Sequence, residues 1–397
     1  MDEHLITSLT VFVGLGIMLY VVPLSYQRMS DRRIAILQGK SIWADWRIVM
    51  MCMIYALAVG LRYNYAYDWW QYMNTFNYIQ HGLLYRDTTE KGYLLINRIL
   101  GWIGFDYYSI FILESFLWIF SICFVFRKNR RALLWVLPVV YLGCRFRCLN
   151  LSRQFFAMSV FFIGCGYLMQ GKRIIYLVFC AIATSIHTSA ILFSIPFLFI
   201  FYIRKYPPLK VILPLYIVIA VFKVVFFNQI IQLGTVITEN IITNKGYDAE
   251  SLMRDNFQWE LSLISEVGSC AVDIITIFGI YYMLKVDYIT ADVESNKGNK
   301  SWRLKTFEFY VCLIGLAGTL IRPIGEANEI TSRTFFYVTI FSMMSTGLWI
   351  FYGTTHWRQL NIFYKCMIAI AIVSYLYKLI HGPIGDVEND IILEYRI

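Results

Sequence analysis

The chain has 397 residues, of which 58% are hydrophobic and 15% are charged, with a net charge of +9. A soluble domain typically carries about 25% charged residues, so this composition excludes an ordinary soluble enzyme. Apolar segments long enough to cross a bilayer recur along the chain, and no other stretch is large or polar enough for a separate soluble domain. The sequence therefore predicts one polytopic membrane domain over residues 1–397. The positive charge indicates cytoplasmic loops that set the orientation of the spans, rather than a nucleic-acid partner.

The apolar segments predict an all-α integral membrane protein with about 12 transmembrane helices, within a range of about 10 to 14. We expect spans near 5–24, 47–63, 107–126, 132–146, 154–170, 174–188, 190–203, 210–228, 262–284, 306–321, 333–352 and 361–380. Segment 174–203 can also be read as one helix broken at Pro196. Two spans are favoured, because they keep the basic pairs at 172–173 and 204–205 on one side.

The basic residues orient these spans, because Lys and Arg collect in cytoplasmic loops. Alternate connections hold 21 of the 35 Lys and Arg residues, beginning with Arg28, Arg32, Arg33, Lys40 and Arg47. Positive charge follows the first apolar segment instead of preceding it, which indicates a retained span with an external N-terminus. With an even number of spans, both termini are predicted to be external.

Three predicted outer segments are long. Residues 64–106 form a loop in which Tyr93–Phe105 has the half-apolar pattern of an amphipathic helix lying in the membrane interface. Residues 229–261 form a polar outer loop, and residues 381–397 form an acidic outer tail.

Several arginines on the outer side oppose the orientation rule and need another explanation. One explanation is internal ion pairing with Asp68, Glu90, Glu326 or Glu329. The other is an anion site, because guanidinium groups bind phosphate through two parallel hydrogen bonds and keep their charge. An external phosphate beside the bilayer suggests a lipid phosphate or pyrophosphate. The candidate ligands of a pyrophosphate are Arg145, Arg147, Arg153, Arg322 and Arg333.

Polar residues near span ends provide candidates for proton transfer. Asp68 lies within an aromatic segment, RYNYAYDWWQY over 62–72, which resembles a sugar-binding platform. Its candidate sugar contacts are Arg62, Tyr67, Trp69 and Tyr72. His187 lies in SIHTSA at a predicted external turn, where it is a candidate base, and Glu90 in TTEKGYLLIN is another candidate acid or base. We rank the bases Asp68, His187, then Glu90.

The sequence favours a metal-independent site without a cofactor. Walker, GxSxG and HExxH motifs are missing, and neither Asp68 nor Asp87 has the paired acid that pyrophosphate-linked metals usually need.

Four segments in order resemble the EpsG-like family of Wzy-type polysaccharide polymerases, which make O-antigen, capsule and exopolysaccharide. They are RYNYAYDWWQYMNTF (62–76), EKGYLLINRIL (90–100), SRQFFAMSVFF (152–162) and SIHTSAILF (185–193). A late arginine of the family corresponds to Arg322 or Arg333. Lys91 stands where the family usually has proline. From the Arg-Gln helix start, the resemblance adds Gln154 to the candidate sugar contacts.

The resemblance implies a GT-C-like polymerase and ligase architecture in the bacterial inner membrane. It implies transfer of a growing glycan from undecaprenyl pyrophosphate to the terminal sugar hydroxyl of a new lipid-linked repeat, at the periplasmic face. It also implies a flippase and a chain-length regulator of the same pathway as partners. Two other functions stay open: a lipid-linked oligosaccharide flippase, and a GT-C-type glycosyltransferase or acyltransferase that modifies the polysaccharide.

Overall fold

The computed structural model describes residues 3–64, 68–83, 89–144, 148, 151–203, 205–226, 229, 263–294, 306–325, 329–360, 362–388 and 394–395. Over these ranges the chain is almost entirely helical. The predicted outer loop 229–261 lies outside the described residues, apart from residue 229.

The α-helices in chain order are α1 Glu3–Gln27, α2 Asp31–Gly39, α3 Trp46–Gly60, α4 Trp69–Gln80, α5 Lys91–Trp102, α6 Tyr108–Val125, α7 Leu133–Cys144, α8 Ser152–Leu168, α9 Arg173–Ile186, α10 Ile191–Ile200, α11 Leu209–Val225, α12 Leu263–Glu294, α13 Thr306–Gly325, α14 Glu329–Thr355 and α15 Ile362–Glu388. Single turns of 3-10 helix lie at Ile42–Ala44, Arg130–Ala132, Thr188–Ala190 and Trp357–Gln359. Two short strands are β1 Arg62–Tyr63 and β2 Glu394–Tyr395.

Each predicted span coincides with one helix, and the matching helices are α1, α3 and α6–α15. Within the described residues, 5 helices are long and apolar enough to cross a membrane, namely parts of α1, α6, α12, α13 and α14. Helices suit a bilayer because they satisfy their own backbone hydrogen bonds where water is absent. The prediction of a helical membrane protein is therefore confirmed. The number of crossings and the GT-C-like arrangement stay predictions.

Helix α9 illustrates how the apolar sequence divides between protein and lipid. Its buried residues recur at helical spacing and are Tyr176, Cys180, Ala183 and Ile186. The opposite face is apolar as well, with Leu177 47% and Val178 52% exposed. An exposed apolar face of this kind suits lipid better than water.

The chain reverses direction between α9 and α10. The Tyr176 hydroxyl donates a hydrogen bond of 2.7 Å to the backbone carbonyl of Ser194, which lies 18 residues further on. In one continuous helix these residues would be about 27 Å apart. The prediction of two helices in 174–203 is therefore confirmed. The break lies at His187, whose backbone is extended (φ −151°, ψ 120°), whereas Pro196 lies inside α10.

The helices cluster into two compact units, where the sequence predicted one membrane domain. The first unit comprises residues 1–199 and 372–397, and the second comprises residues 200–371. In the first unit α3 packs against α6, α6 against α8, and α8 against α9. In the second unit α13 packs against α14, with α11 and α12 alongside.

The C-terminal segment returns to the first unit. Strand β2 pairs with β1 in antiparallel register, with Arg62 opposite Tyr395 and Tyr63 opposite Glu394. The predicted acidic tail 381–397 thus begins as the end of α15 and reaches the segment that follows α3. Both segments therefore lie at the same end of the first unit.

Candidate functional site

Three helix ends meet in the first unit, and each contributes one polar side chain. Glu90 immediately precedes α5 with an extended backbone (φ −62°, ψ 137°), and its carboxylate forms no capping hydrogen bond to that helix. Arg153 lies in the first turn of α8, and His187 follows the last residue of α9. These three residues, Glu90, Arg153 and His187, form a cluster that we call the polar triad.

The carboxylate of Glu90 binds both other members of the polar triad. One oxygen, Oε2, lies 2.8 Å from a terminal nitrogen of Arg153. The other, Oε1, lies 3.1 Å from Nδ1 of His187 and accepts the backbone N–H of Thr188 at 3.4 Å. The side chains of Glu90, Arg153 and His187 keep 11%, 15% and 24% of their surface exposed, so the triad is partly accessible.

The surroundings of Glu90 keep its carboxyl ionised. Burial alone would raise its pKa, but the hydrogen bond with His187 and the charge of Arg153 outweigh burial and lower the pKa to about 2. The carboxylate also lies at the N-terminus of α5, where negative charge is favoured. Glu90 is therefore a fixed negative charge at neutral pH, and such a weak base is poorly matched to proton abstraction.

Gly92 allows α5 to approach α9 closely enough for this contact. A Cβ atom at Gly92 would overlap the hydroxyl of Ser185 and lie 2.7 Å from the backbone carbonyl carbon and oxygen of that residue. A side chain at this position would push the start of α5 away from the end of α9. The absence of a side chain at Gly92 therefore helps to hold Glu90 beside His187.

A second buried carboxylate supports the start of α8. Glu114 of α6 is 3% exposed and accepts a hydrogen bond from the hydroxyl of Ser152, the residue before Arg153. The guanidinium of Arg62 acts electrostatically on Glu114 and lies over the ring of Phe111, 4.4 Å from its centroid. These contacts fix the helix turn that carries Arg153.

Aromatic side chains from α4 pack beside the polar triad. The ring of Tyr72 lies 6.4 Å from the ring of Tyr93, over which the Arg153 guanidinium lies at 5.9 Å. Burial raises the pKa of the Tyr72 hydroxyl, the nearby charge of Asp68 raises it further, and Arg153 opposes this change. Tyr72 thus lies within electrostatic reach of both Asp68 and Arg153.

The structure buries most of the residues expected to form the sugar platform. Arg62 is 1% exposed and donates a hydrogen bond of 2.9 Å to the Val59 carbonyl, while Trp69 is 0% exposed and donates to the Arg62 carbonyl at 3.2 Å. Direct sugar contact would require this packing to open, so both residues support the fold. Tyr72 and Gln154 are also buried, at 7% and 5% exposure. Tyr67 lies outside the described residues.

The structure describes three of the five expected pyrophosphate ligands. Arg145 and Arg147 lie outside the described residues. Arg322, in the second unit, forms an ion pair of 2.8 Å with Asp273 and donates to the Ser269 carbonyl, which favours a structural role over the expected phosphate contact. Arg333 is half-buried on α14 of the second unit. Arg153 and Arg322 thus both pair with an acid. The partner of Arg153, Glu90, was among the acids that the sequence suggested for ion pairing, whereas the partner of Arg322, Asp273, was not.

Sequence reasoning missed Gly92, Glu114 and Ser152. A lone carboxylate within the apolar run FILESFLW was the available signal for Glu114, since an ionisable residue inside a span is a functional candidate by default. Gly92 and Ser152 gave no comparable signal. Their roles depend on which helix packs against them.

Comparison with known proteins adds one finding. The sequence model of the EpsG family matches residues 46–397, which is most of the chain and includes every member of the polar triad. No curated protein and no solved structure matches the chain.

Proposed function

This chain belongs to the EpsG family, and we propose that it is a Wzy-type polysaccharide polymerase, a glycosyltransferase that needs no metal. The observation that carries the proposal is the contact of His187 with Glu90 beside Arg153. The donor is a growing glycan on undecaprenyl pyrophosphate. The acceptor is the terminal sugar hydroxyl of a new repeat unit on the same kind of lipid, at the periplasmic face of the bacterial inner membrane.

The reaction exchanges one bond at the anomeric carbon of the donor. The acceptor hydroxyl oxygen attacks this carbon, and the bond from the carbon to the pyrophosphate oxygen breaks. The electron pair of that bond leaves with the lipid pyrophosphate, and the hydroxyl proton passes to the protein. The protein therefore has two tasks, to accept a proton and to neutralise the leaving group.

His187 accepts the proton in this proposal. When its Nδ1–H donates to Glu90, the lone pair lies on Nε2, which is the tautomer that a base requires. Glu90 orients the ring and stabilises the imidazolium that forms, as a carboxylate does for the histidine of a serine protease. Asp68 is the second candidate base, because it lies near Tyr72 at the edge of the same cluster.

Positive charge for the leaving pyrophosphate comes from arginines near the start of α8. Arg153 pairs with Glu90 through one terminal nitrogen, and a guanidinium carries five N–H donors, enough to bind a carboxylate and a phosphate together. Arg145 and Arg147 precede it by a few residues and supply further charge. Loss of one such contact between arginine and phosphate raises the activation barrier of the transfer by about 2–4 kcal/mol, by analogy with oxyanion donors.

An alanine series read as sugar-chain length on gels tests the proposal. We expect His187→Ala and Arg153→Ala to leave single-repeat products in cells that otherwise make full-length polymer. Two matched controls lie on the same predicted loop: His81→Ala and Arg98→Ala remove the same side chains from exposed positions. Full-length polymer from both triad variants would refute the assignment of the site.

A flippase is the second candidate function. Asp273 and Arg322 form an ion pair within α12 and α13, and ionisable groups inside spans often mark a transport path. Purified protein in vesicles with a lipid-linked repeat separates the two functions. A polymerase lengthens the sugar chain without any cytosolic donor, whereas a flippase moves the lipid across the bilayer unchanged.

A further inference from the structure

A cavity of about 500 Å³ lies where α1 ends and the chain turns into α2. Its lining includes three arginines, Arg28, Arg33 and Arg47, and the hydroxyls of Ser25 and Ser30. Apolar side chains at the end of α1 form the rest of its wall. Its volume falls in the range of about 300–1,000 Å³ that is common for small-molecule sites.

The positive charge of this cavity is not balanced from within the protein. Within the described part of the chain, the guanidinium groups of Arg28 and Arg33 form neither an ion pair nor a hydrogen bond. The nearest acids serve other partners: Asp45 binds Arg130 and accepts the Tyr26 hydroxyl, and Asp31 pairs with Arg131. Arg47 lies 3.7 Å from Asp45 at closest, a loose contact with an acid that already has a buried partner.

A hydroxyl at the wall of the cavity adds a hydrogen-bond donor to the three arginines. Ser30 is exposed, and it precedes α2 without using its side chain to cap that helix. A serine hydroxyl can donate its hydrogen to a phosphate oxygen. The cavity thus offers both positive charge and a neutral donor to an anionic group.

A side chain typical of a membrane interface lies beside the cavity. The ring centroid of Trp46 lies 5.4 Å from the guanidinium of Arg47, which lines the cavity, and Trp46 is 66% exposed. Tryptophan collects at the head-group level of bilayers. Val21, on the cavity wall, is 52% exposed and offers an apolar surface along α1 to acyl chains. The cavity thus combines a basic head-group pocket with an apolar track.

We propose that this cavity binds the phosphate head group of an anionic phospholipid such as phosphatidylglycerol. Arg28 and Arg33 hold the phosphate, Ser30 donates its hydroxyl hydrogen, and the acyl chains run along α1. The site lies at the start of α3, whereas Arg62 and the segment beside the polar triad follow the end of α3. It is therefore separate from the catalytic site, at the membrane face that the basic loops predict to be cytoplasmic.

Native mass spectrometry of the purified chain in a neutral detergent tests this proposal. The probes are phosphatidylglycerol, phosphatidylcholine with the same acyl chains, and inorganic phosphate. We expect the chain to retain phosphatidylglycerol at least tenfold more strongly than either other probe. Equal retention of the two lipids by the wild-type chain would by itself overturn the proposal. Equal binding of inorganic phosphate would overturn the choice of a lipid.

Two double variants locate the site. Since each basic residue near an anionic surface contributes roughly fivefold to binding, Arg28→Gln with Arg33→Gln should weaken phosphatidylglycerol retention about 25-fold. The control is Arg32→Gln with Lys40→Gln, which removes the same charge from exposed positions of the same connection that do not line the cavity. It should change phosphatidylglycerol retention less than about threefold. Equal weakening by both double variants would show general attraction to basic loops and would refute the cavity as the site.

Discussion

At the scale of single residues, the contact between His187 and Glu90 is the reason why we propose His187 as the base, ahead of Asp68. Glu90 has its pKa lowered to about 2 by His187 and Arg153 against the effect of burial. A carboxylate of this strength holds its partners but accepts a substrate proton poorly. The same contact with Nδ1 prepares the other nitrogen of His187 for proton transfer. In the proposed function, Glu90 and His187 therefore act together, with His187 as the base.

Substituting Glu90 tests its orienting role. We expect Glu90→Gln to reduce the rate of polymer formation by about 10²–10⁴, the usual contribution of acid–base catalysis, because the imidazole loses its anionic partner. The rate is measured with purified protein and a lipid-linked repeat. Lys91→Gln, which neutralises the adjacent exposed charge, is the control and should keep the wild-type rate. A fully active Glu90→Gln variant would contradict the role assigned to Glu90.

The pH dependence of activity follows from the same charges. Glu90 stays ionised above about pH 2, so its own titration does not produce a change in rate near neutrality. Loss of activity on acidification reports protonation of the base, His187. Removing the negative charge of Glu90 disfavours the imidazolium, so Glu90→Gln should shift this loss to lower pH. An unchanged pH profile of activity in Glu90→Gln would show that Glu90 does not act on the titrating base.

Stability should depend on pH with a defined sign. The pKa of Glu90 is lowered from its ordinary value of 4.5 to about 2 in the folded protein. Its ion pairs therefore stabilise the fold fully above about pH 4.5 and lose this effect as the pH falls toward 2. Melting temperatures in detergent should show wild type above Glu90→Gln at pH 6, with the difference shrinking below pH 4.5. A difference that grows on acidification would contradict the ion-pair geometry.

Residue types indicated the members of the polar triad, but not their contacts. Arg153, Glu90 and His187 were each recognisable from charge or position in the sequence. Their convergence was not, because α5, α8 and α9 meet only through tertiary packing. Burial is equally invisible in the sequence, and the structure shows that Arg62 and Trp69 are buried.

At the scale of secondary-structure elements, the helices were predictable and their ends less so. Apolar length located a helix at every predicted span, because a bilayer demands long apolar helices. Loop charges predicted two helices within 174–203 with a turn at His187, and the structure has the break there. The hydrophobic pattern alone does not specify where a helix stops, since apolar residues resume at Ile191, directly after the segment SIHTSA.

A substitution at Gly92 tests the contact between α5 and α9. Gly92→Ala should push the two helix ends apart at a typical overpacking cost of about 1–3 kcal/mol, and it should reduce polymer formation. Gly14→Ala is the control, because nothing lies within 4 Å of a Cβ built at Gly14 of α1. Chain length on gels and the melting temperature are measured together. Wild-type activity in Gly92→Ala would show that this close approach is not needed.

At the scale of the whole molecule, strand pairing links the C-terminus to the end of α3. Strands β1 and β2 lie side by side, so the C-terminal segment shares a membrane face with the aromatic segment around Asp68. Loop charges predict that this face is periplasmic. Alkaline phosphatase, active only outside the cytoplasm, should therefore be active when fused after Ile397 and inactive when fused within the basic connection after α1. Activity in the reverse pattern would invert the orientation.

The central claim is that the polar triad catalyses transfer between two lipid-linked glycans. The most direct measurement counts both products of purified protein supplied only with a lipid-linked repeat unit: new glycosidic linkages and released undecaprenyl pyrophosphate. We expect equal amounts of both from the wild-type chain and neither from His187→Ala. Linkages that form only when a nucleotide sugar is added, or at an undiminished rate in His187→Ala, would refute the proposed function.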